Sequence, residues 1–174
     1  MRQKGFTLIE VLVMMAVSGV LLTGLVTTIF QVSTFIDRSN SQGIALTDVH
    51  RAAFHIKKDL QMAQNTGIVE GDSVVLSPQS SVTLEWIDCT SEFQPEEERR
   101  NHASTYNLTD SGELKRTYDN APTPSIIARH ITYLRFAQQD EKVVNVVITA
   151  TGPEPHQRSK TIEFIVHTRS EELP

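Results

Sequence analysis

The side chains that could do chemistry in this chain are few and widely spaced. Two of the six histidines, His50 and His55, are five positions apart, so a helix would place them on different faces, unlike the ligands of a helical zinc site. Cys89 is the single cysteine. The sequence has no Cys-x-x-Cys pair, no glycine-rich phosphate loop and no G-x-S-x-G motif. We therefore expect no enzymatic activity, no metal and no cofactor. Cys89 is expected to be a half-buried or loop thiol, or alternatively to bond another chain.

One acid is unusual because of the residues around it. Glu10 is the only ionisable residue between Phe6 and Phe30. An acid in the middle of a bilayer costs about 2.5–3.5 kcal/mol, and less near the interface, which its side chain can reach. Two interpretations remain open on spacing alone. Glu10 is either a tolerated interfacial acid or a charge that meets a partner within the membrane.

The apolar run around Glu10 has the length of a membrane span. As a helix, residues 6–30 would extend roughly 37 Å, more than the roughly 30 Å hydrocarbon core. The run is too long for a signal peptide, and no Ala-x-Ala cleavage site follows it. Arg2 and Lys4 precede it, whereas Ser33, Thr34 and Asp37 begin its far side. This asymmetry predicts a single-pass anchor with the N-terminus in the cytoplasm and the remainder outside.

Composition sets limits on the remainder of the chain. The 174 residues carry a formal net charge of −5, and no basic patch suits nucleic acid. We therefore predict no direct nucleic-acid contact. The length is typical of one domain with an appendage.

A second helical pattern follows the apolar run. Apolar residues recur at steps of four and three, which places them on one helical face; they are Val49, Ala53, Ile56, Leu60 and Ala63. We interpret this stripe as packing on a core, with a coiled coil as the alternative. Asn65-Thr66-Gly67 is a stop signal. The stretch 39–43 is poor in helix formers and is expected to bend or break the helix.

Residues 67–174 have mostly strand signals. A hairpin is expected from Ile68 to Leu76 around Gly71, and another around 109–112. Alternating apolar residues predict four further strands; they are Val82, Leu84 and Trp86, then Thr132, Leu134 and Phe136, then Val144, Val146 and Ile148, and finally Ile162, Phe164 and Val166. The last three predict an antiparallel meander with one face on the helix. Residues 88–104 are expected to form a solvated loop, or alternatively a partner-binding one.

The segment Lys4-Gly5-Phe6-Thr7-Leu8-Ile9-Glu10 resembles the processing site of type IV prepilins. That pattern is a short basic leader ending in Gly, then Phe, then a hydrophobic helix with Glu at the fifth mature position. The resemblance implies that a prepilin peptidase cuts between Gly5 and Phe6 and that Phe6 is then N-methylated. It also implies that Glu10 of one subunit pairs with the Phe6 amine of a neighbour in a filament.

The resemblance implies an α+β, pilin-like fold in which a long N-terminal helix packs on an antiparallel β-sheet head. The expected organisation is a removed leader (1–5), a helix (6–66) and a head (67–174). Many major pilins have a kinking proline in the first half of this helix, but the first proline here is Pro78. Gly19 and Gly24 are the remaining positions expected to loosen the helix or to allow close packing with other helices.

The absent proline and the layout favour a minor pilin, or a J-type minor pseudopilin of type II secretion. The partners implied are other minor and major pilins or pseudopilins, the prepilin peptidase/methyltransferase and the inner-membrane assembly platform. The location implied is the inner membrane, followed by a periplasmic or extracellular filament. The alternative is a membrane-tethered binding module or enzyme that is exported by a prepilin-type leader.

Overall fold

The computed structural model describes residues 7–87, 101–119 and 121–169. A single helix, α1 (Leu8–Met62), begins this part of the chain and is followed by eight strands. The chain divides into two compact units, Met1–Asn40 and Ser41–Pro174. The first unit contains the apolar part of α1, and the second contains its remaining turns and all the strands. The fold class is α+β and pilin-like, as predicted.

The strands form two antiparallel sheets. They are β1 (Ser73–Val75), β2 (Ser81–Ile87), β3 (Asn101–Leu108), β4 (Leu114–Tyr118), β5 (Ser125–Ala128), β6 (Ile131–Asp140), β7 (Val143–Thr151) and β8 (Ser159–His167). One sheet, here called the N-sheet, has the order β2-β3-β4-β5, and the other, the C-sheet, has the order β1-β6-β7-β8. The expected meander is confirmed as β6-β7-β8, with Val146 opposite both Phe136 and Phe164.

The core of the second unit lies between α1 and the sheets. The predicted helical stripe is confirmed, since Val49, Ile56 and Leu60 are fully buried and Ala53 packs at the margin of the core. Sheet residues complete the core; among them are Leu84, Tyr106, Leu114, Leu134, Phe136, Val146 and Ile148. Apolar burial is therefore confined to the face of α1 that the sequence pattern indicates.

Four local expectations were wrong. Ile68 and Val69 form no strand, and β1 pairs with β6 instead, although the turn at Gly71 is present with a φ of 82°. Residues 101–104 belong to β3 rather than to a loop, because they pair with β2 and Ser104 is fully buried. Residues 88–100, with Cys89, lie outside the described residues. Thr132 is exposed, because the β6–β7 register shifts between Ile131 and Tyr133.

The fourth correction concerns the stretch 39–43, where α1 continues without a break. Ser41 is buried there and its hydroxyl donates to the Pro153 carbonyl over 3.2 Å. The amide of Arg158 in turn donates to the same hydroxyl. The loop between β7 and β8 thus binds the helix at its weakest point, and these tertiary contacts outweigh the low helix propensity.

Candidate functional site: the N-terminal helix and its attachment to the head

The start of α1 brings Thr7 and Glu10 together. The Thr7 carbonyl accepts the Glu10 amide at 3.1 Å and the Val11 amide at 3.3 Å, so Thr7 occupies the N-cap position. Gly5 and Phe6, the residues of the expected cleavage site, lie outside the described residues. Glu10 is exposed, and no described residue forms an ion pair with it.

Thr7-Leu8-Ile9-Glu10 has the Thr-x-x-Glu spacing of a capping box. A carboxylate in the first helical turn also interacts favourably with the helix dipole. The sequence interpretation missed this role, although the spacing alone could have revealed it. The position of Glu10 in the first turn of α1 therefore favours the start of the helix without a second chain.

The first unit presents its apolar side chains outward. In the chain by itself Leu8 is 85% exposed and Phe30 73%. The length and hydropathy of α1 are sufficient for a membrane span. Thr23, Thr27 and Thr28 donate their hydroxyls to carbonyls four residues earlier, over 2.8 Å each. Such internal bonds give each of these three hydroxyl hydrogens an acceptor in lipid.

Gly19 and Gly24 lie within the continuous helix, and a side chain at either position would meet no atom within 4 Å. Packing inside the chain therefore does not require glycine at these two positions. They remain candidates for close approach by helices of other chains.

The second unit holds an acid in a very different setting. Asp59 is 1% exposed and lies on the buried face of α1. Arg116 of β4 donates to both of its oxygens, from Nε over 2.7 Å and from Nη2 over 2.9 Å. Tyr106 of β3 donates its hydroxyl to Asp59 over 2.6 Å. The geometry is bidentate and charge-assisted, which is the strong form of this contact.

Burial and the neighbouring Asp59 carboxylate raise the pKa of the Tyr106 hydroxyl far above its ordinary value. The hydroxyl therefore stays protonated and acts as a donor. Asp59, Arg116 and Tyr106 together join α1 to the N-sheet through a fully partnered charge.

Two more polar residues of α1 lie on the same face as Asp59. Asp48 accepts Nδ1 of His130 at 2.9 Å and the Arg129 amide at 3.3 Å. Ser41, described above, lies two turns before Asp48, and Asp59 lies three turns after it. Sequence analysis missed all three, because polar residues interrupt an apolar stripe without revealing their partners.

Gly152 shows how closely the β7–β8 loop approaches α1. A Cβ at Gly152 would lie 2.1 Å from the Ser41 carbonyl oxygen, a distance that atoms cannot adopt. Only glycine therefore allows this loop to reach the helix.

At one end of the N-sheet, a histidine, two other aromatic residues and an aspartate form a cluster that resembles a catalytic arrangement. The His102 ring packs against the rings of Trp86 and Tyr118, with centroids 6.0 and 5.7 Å away, and those two rings are 5.9 Å from each other. Its Nδ1 lies 2.6 Å from Asp119 Oδ2 and 3.1 Å from the Tyr118 hydroxyl. A cavity of about 290 Å³ borders Trp86 and His102. A His–Asp pair of this kind orients an imidazole.

Partial burial acts to raise the pKa of Asp119, but hydrogen bonds from the Ala103 amide and from His102 outweigh it and lower that pKa below its ordinary value. Asp119 is thus held as a carboxylate that fixes the end of β4 against β3. Over residues 7–87, 101–119 and 121–169, no cluster of three His, Cys, Asp or Glu side chains has the geometry to hold a metal.

Comparison with known families adds one finding. Residues 1–26 match the family model described as the prokaryotic N-terminal methylation motif. Searches among curated proteins and among solved structures found no match. The matched segment includes Gly5, Phe6 and Glu10 and the first turns of α1, and together with the apolar helix it supports anchoring in the inner membrane. Residues 1–26 are therefore a type IV prepilin-like leader followed by the start of its hydrophobic helix.

Proposed function

We propose that this chain is a structural subunit of a type IV pilus or type II secretion pseudopilus, in the role of a minor pilin or pseudopilin that starts or tips the filament. The observation that carries the proposal is the methylation motif at residues 1–26, which runs directly into an apolar, outward-facing helix. The head supports it, because three buried polar residues of α1, Ser41, Asp48 and Asp59, attach this helix to the strands and loops of the second unit.

The proposed maturation begins on the cytoplasmic side of the inner membrane. A prepilin peptidase cuts between Gly5 and Phe6, and a methyltransferase modifies the new amine of Phe6. Cleavage removes Arg2 and Lys4 and leaves a cationic amine four residues before Glu10. In the filament this amine pairs with Glu10 of a neighbouring subunit, while the head lies outside the membrane.

Mass spectrometry of the mature N-terminus in the native host tests the processing step. We expect an N-methylated Phe6. Gly5→Leu should abolish cleavage, because a subsite that closes on glycine has no room for a branched side chain, whereas the smaller Gly5→Ala should still be cut. An intact Met1 in the parent chain, or a cut beyond residue 30, would refute the proposal.

A second measurement separates a filament subunit from a tethered enzyme or binding module. A filament subunit should copurify with other pilin-like chains after mild solubilisation of the membrane, and quantitative proteomics of sheared filaments should find it as a minor component. Its presence as the main component would refute the minor role and leave the family relationship intact.

A further inference from the structure

The exposed face of α1 in the second unit is basic although the chain as a whole is acidic. His50, Lys57 and Lys58 are exposed, and helical spacing places them around Phe54, which is 66% exposed. The only acid between Val49 and Met62 is Asp59, which is buried and bound by Arg116. No acid on this part of the helix therefore offsets its positive charge.

This basic face borders a groove between α1 and β8. His50, Ala53, Phe54 and Lys57 line it from the helix, and Phe164 lines it from the strand, around a volume of about 350 Å³. Phe164 is partly buried, and it packs the strand side of the groove against the core. Two aromatic rings and a lysine make a site that suits an apolar side chain next to an acidic one.

The strand that borders the groove is a long free edge. β8 pairs with β7 over nine residues, from Ser159 to His167, and no described residue pairs with the other side of these nine; the edge ends at Arg169, whose amide donates to the Ala63 carbonyl over 2.9 Å. The other edges are shorter or partly covered: β1 has three residues, β5 has four, and the main chain of Asn65 bonds to Glu85 of β2. Long free edges are templates for another strand.

Two hydrogen bonds in register with the β7–β8 pairing show which main-chain groups of β8 point away from β7. The Thr168 amide donates to Lys142 and the Gly152 amide donates to Arg158, each over 2.9 Å. Bonded pairs alternate with non-bonded pairs in an antiparallel ladder, so even-numbered residues of β8 bond to β7. The main-chain groups that point outward belong to Thr161, Glu163, Ile165 and His167.

The charges beside this edge define what can bind there. Glu163 is directed to the outer face of the C-sheet, where Asn145 Nδ2 donates to it over 2.8 Å. The inner side, next to α1, carries Lys57 and His50. A strand added here would thus meet positive charge on its helix-facing side.

We propose that the β8 edge and the adjoining α1 groove bind an extended acidic segment of another protein subunit. The segment would become a fifth strand of the C-sheet, with an apolar side chain between Phe54 and Phe164 and acidic side chains near Lys57 and Lys58. Main-chain pairing supplies affinity in such complexes, and the side-chain pocket supplies selectivity. This surface lies on the second unit and does not depend on the processing of the leader.

The test uses the full chain in lipid nanodiscs and a fluorescent synthetic peptide in which phenylalanine and valine alternate with glutamate. Hydrogen exchange of the parent protein provides a readout that needs no substitution. We expect the outward amides of Thr161, Glu163, Ile165 and His167 to gain protection when the peptide is added. Binding that leaves these amides unprotected would overturn the proposal.

Two sets of variants test the lysine charges and the main-chain edge of β8 individually. Lys57→Glu with Lys58→Glu should weaken peptide binding at least about tenfold, whereas Arg129→Glu, a single charge reversal at the β5–β6 turn on a side chain that is 65% exposed and lies 3.7 Å from Glu113, should not. Ile165→Pro removes one outward N–H and no bond to β7, and should weaken binding by about the same factor. Ile165→Ala is its control, since it keeps the N–H.

Three further outcomes would overturn the proposal. One is equal binding of a peptide with lysine in place of glutamate. Another is no binding of the acidic peptide at about 1 mM, a concentration that detects weak main-chain pairing. The third is a homodimer in sedimentation analysis that Ile165→Pro dissociates, since the occupant would then be a second copy of this chain.

Discussion

Two acids of the same helix have opposite surroundings. Glu10 lies in the first turn of α1, exposed among apolar side chains, and no described residue forms an ion pair with it. Asp59, near the other end of α1, is 1% exposed and holds Arg116 and Tyr106. The second acid is satisfied within the subunit. Among the described residues the first has no charged partner, and under the proposed function it gains one from another chain.

The comparison shows how one helix can serve two purposes. Its second half is attached to the head by the contacts of Asp59 with Arg116 and Tyr106, which lie within one chain. Its first half carries Glu10, for which no described residue provides a counter-charge. Under the proposed function, the energetic cost of this carboxylate in the membrane decreases only when the subunit assembles with a neighbour. Substitution of Glu10 should therefore affect assembly, whereas substitution of Asp59 should affect the stability of the head.

The largest effect is expected from Glu10→Leu. Insertion and cleavage after Gly5 should survive, but incorporation into filaments or subunit complexes should fall by roughly two to four decades. The reason is that a neighbour's Phe6 amine would be buried without its counter-charge, at about 3–5 kcal/mol. The measurement compares the processed fraction with the incorporated fraction.

Two matched variants at this position distinguish charge from helix capping. Glu10→Gln keeps the spacing of the capping box but removes the charge, so we expect it to fail like Glu10→Leu. Glu10→Asp keeps the charge on a shorter arm and should be intermediate. If Glu10→Leu is cut, methylated and incorporated like the parent, the carboxylate serves only the start of the helix.

Asp59→Ala should instead lower the stability of the head. It leaves the Arg116 charge and the Tyr106 hydroxyl without their partner, and we expect a loss of about 3–5 kcal/mol in the free energy of unfolding. Denaturant titration followed by tryptophan fluorescence measures it, since Trp86 lies in β2. Asp37→Ala, at an exposed acid of the same helix, should change stability by less than about 0.5 kcal/mol.

The double variant Asp59→Leu with Arg116→Met sharpens this prediction. Removing both charges avoids an unpaired buried ion, so much of the stability should return. A loss as large as that of Asp59→Ala alone would show that the Tyr106 hydrogen bond, rather than the charge pair, holds the helix to the N-sheet.

The smallest expected effect on stability concerns Asp119. This carboxylate lies at the margin of the head and, like Asp59, has its hydrogen-bond partners within the chain. Its pKa is lowered in the folded state, so its contribution to stability is present above the unfolded pKa and is lost as the pH falls through the folded pKa. Carboxyl NMR should show a titration midpoint below 3.8, the ordinary value. Asp119→Asn should remove this part of the acid sensitivity, and a midpoint at or above 3.8 would contradict the assignment.

The sequence predicted those features that depend on local periodicity. The stripe around Val49 and Ile56 and the meander ending in Val166 follow from spacings of 3.6 or two, which burial on one face enforces. The hairpin around Gly112 was predicted for a similar reason, since its turn needs positive φ, here 76°. By contrast, the start of β3 was missed, because His102-Ala103-Ser104 has no apolar alternation.

By itself, the sequence determined that a prepilin-like leader precedes an apolar helix, because that pattern is a contiguous run of residue types. Only the tertiary structure decided how the rest of α1 is held. Ser41, Asp48 and Asp59 bind groups that are 57 or more positions away in the chain, at Arg116, His130 and Pro153. Polar side chains on a helix do not specify which strand will satisfy them, since the choice depends on the order in which strands pair. For the same reason, the sequence did not predict the free edge of β8 or the basic groove beside it, since both depend on how the strands are ordered in the sheet.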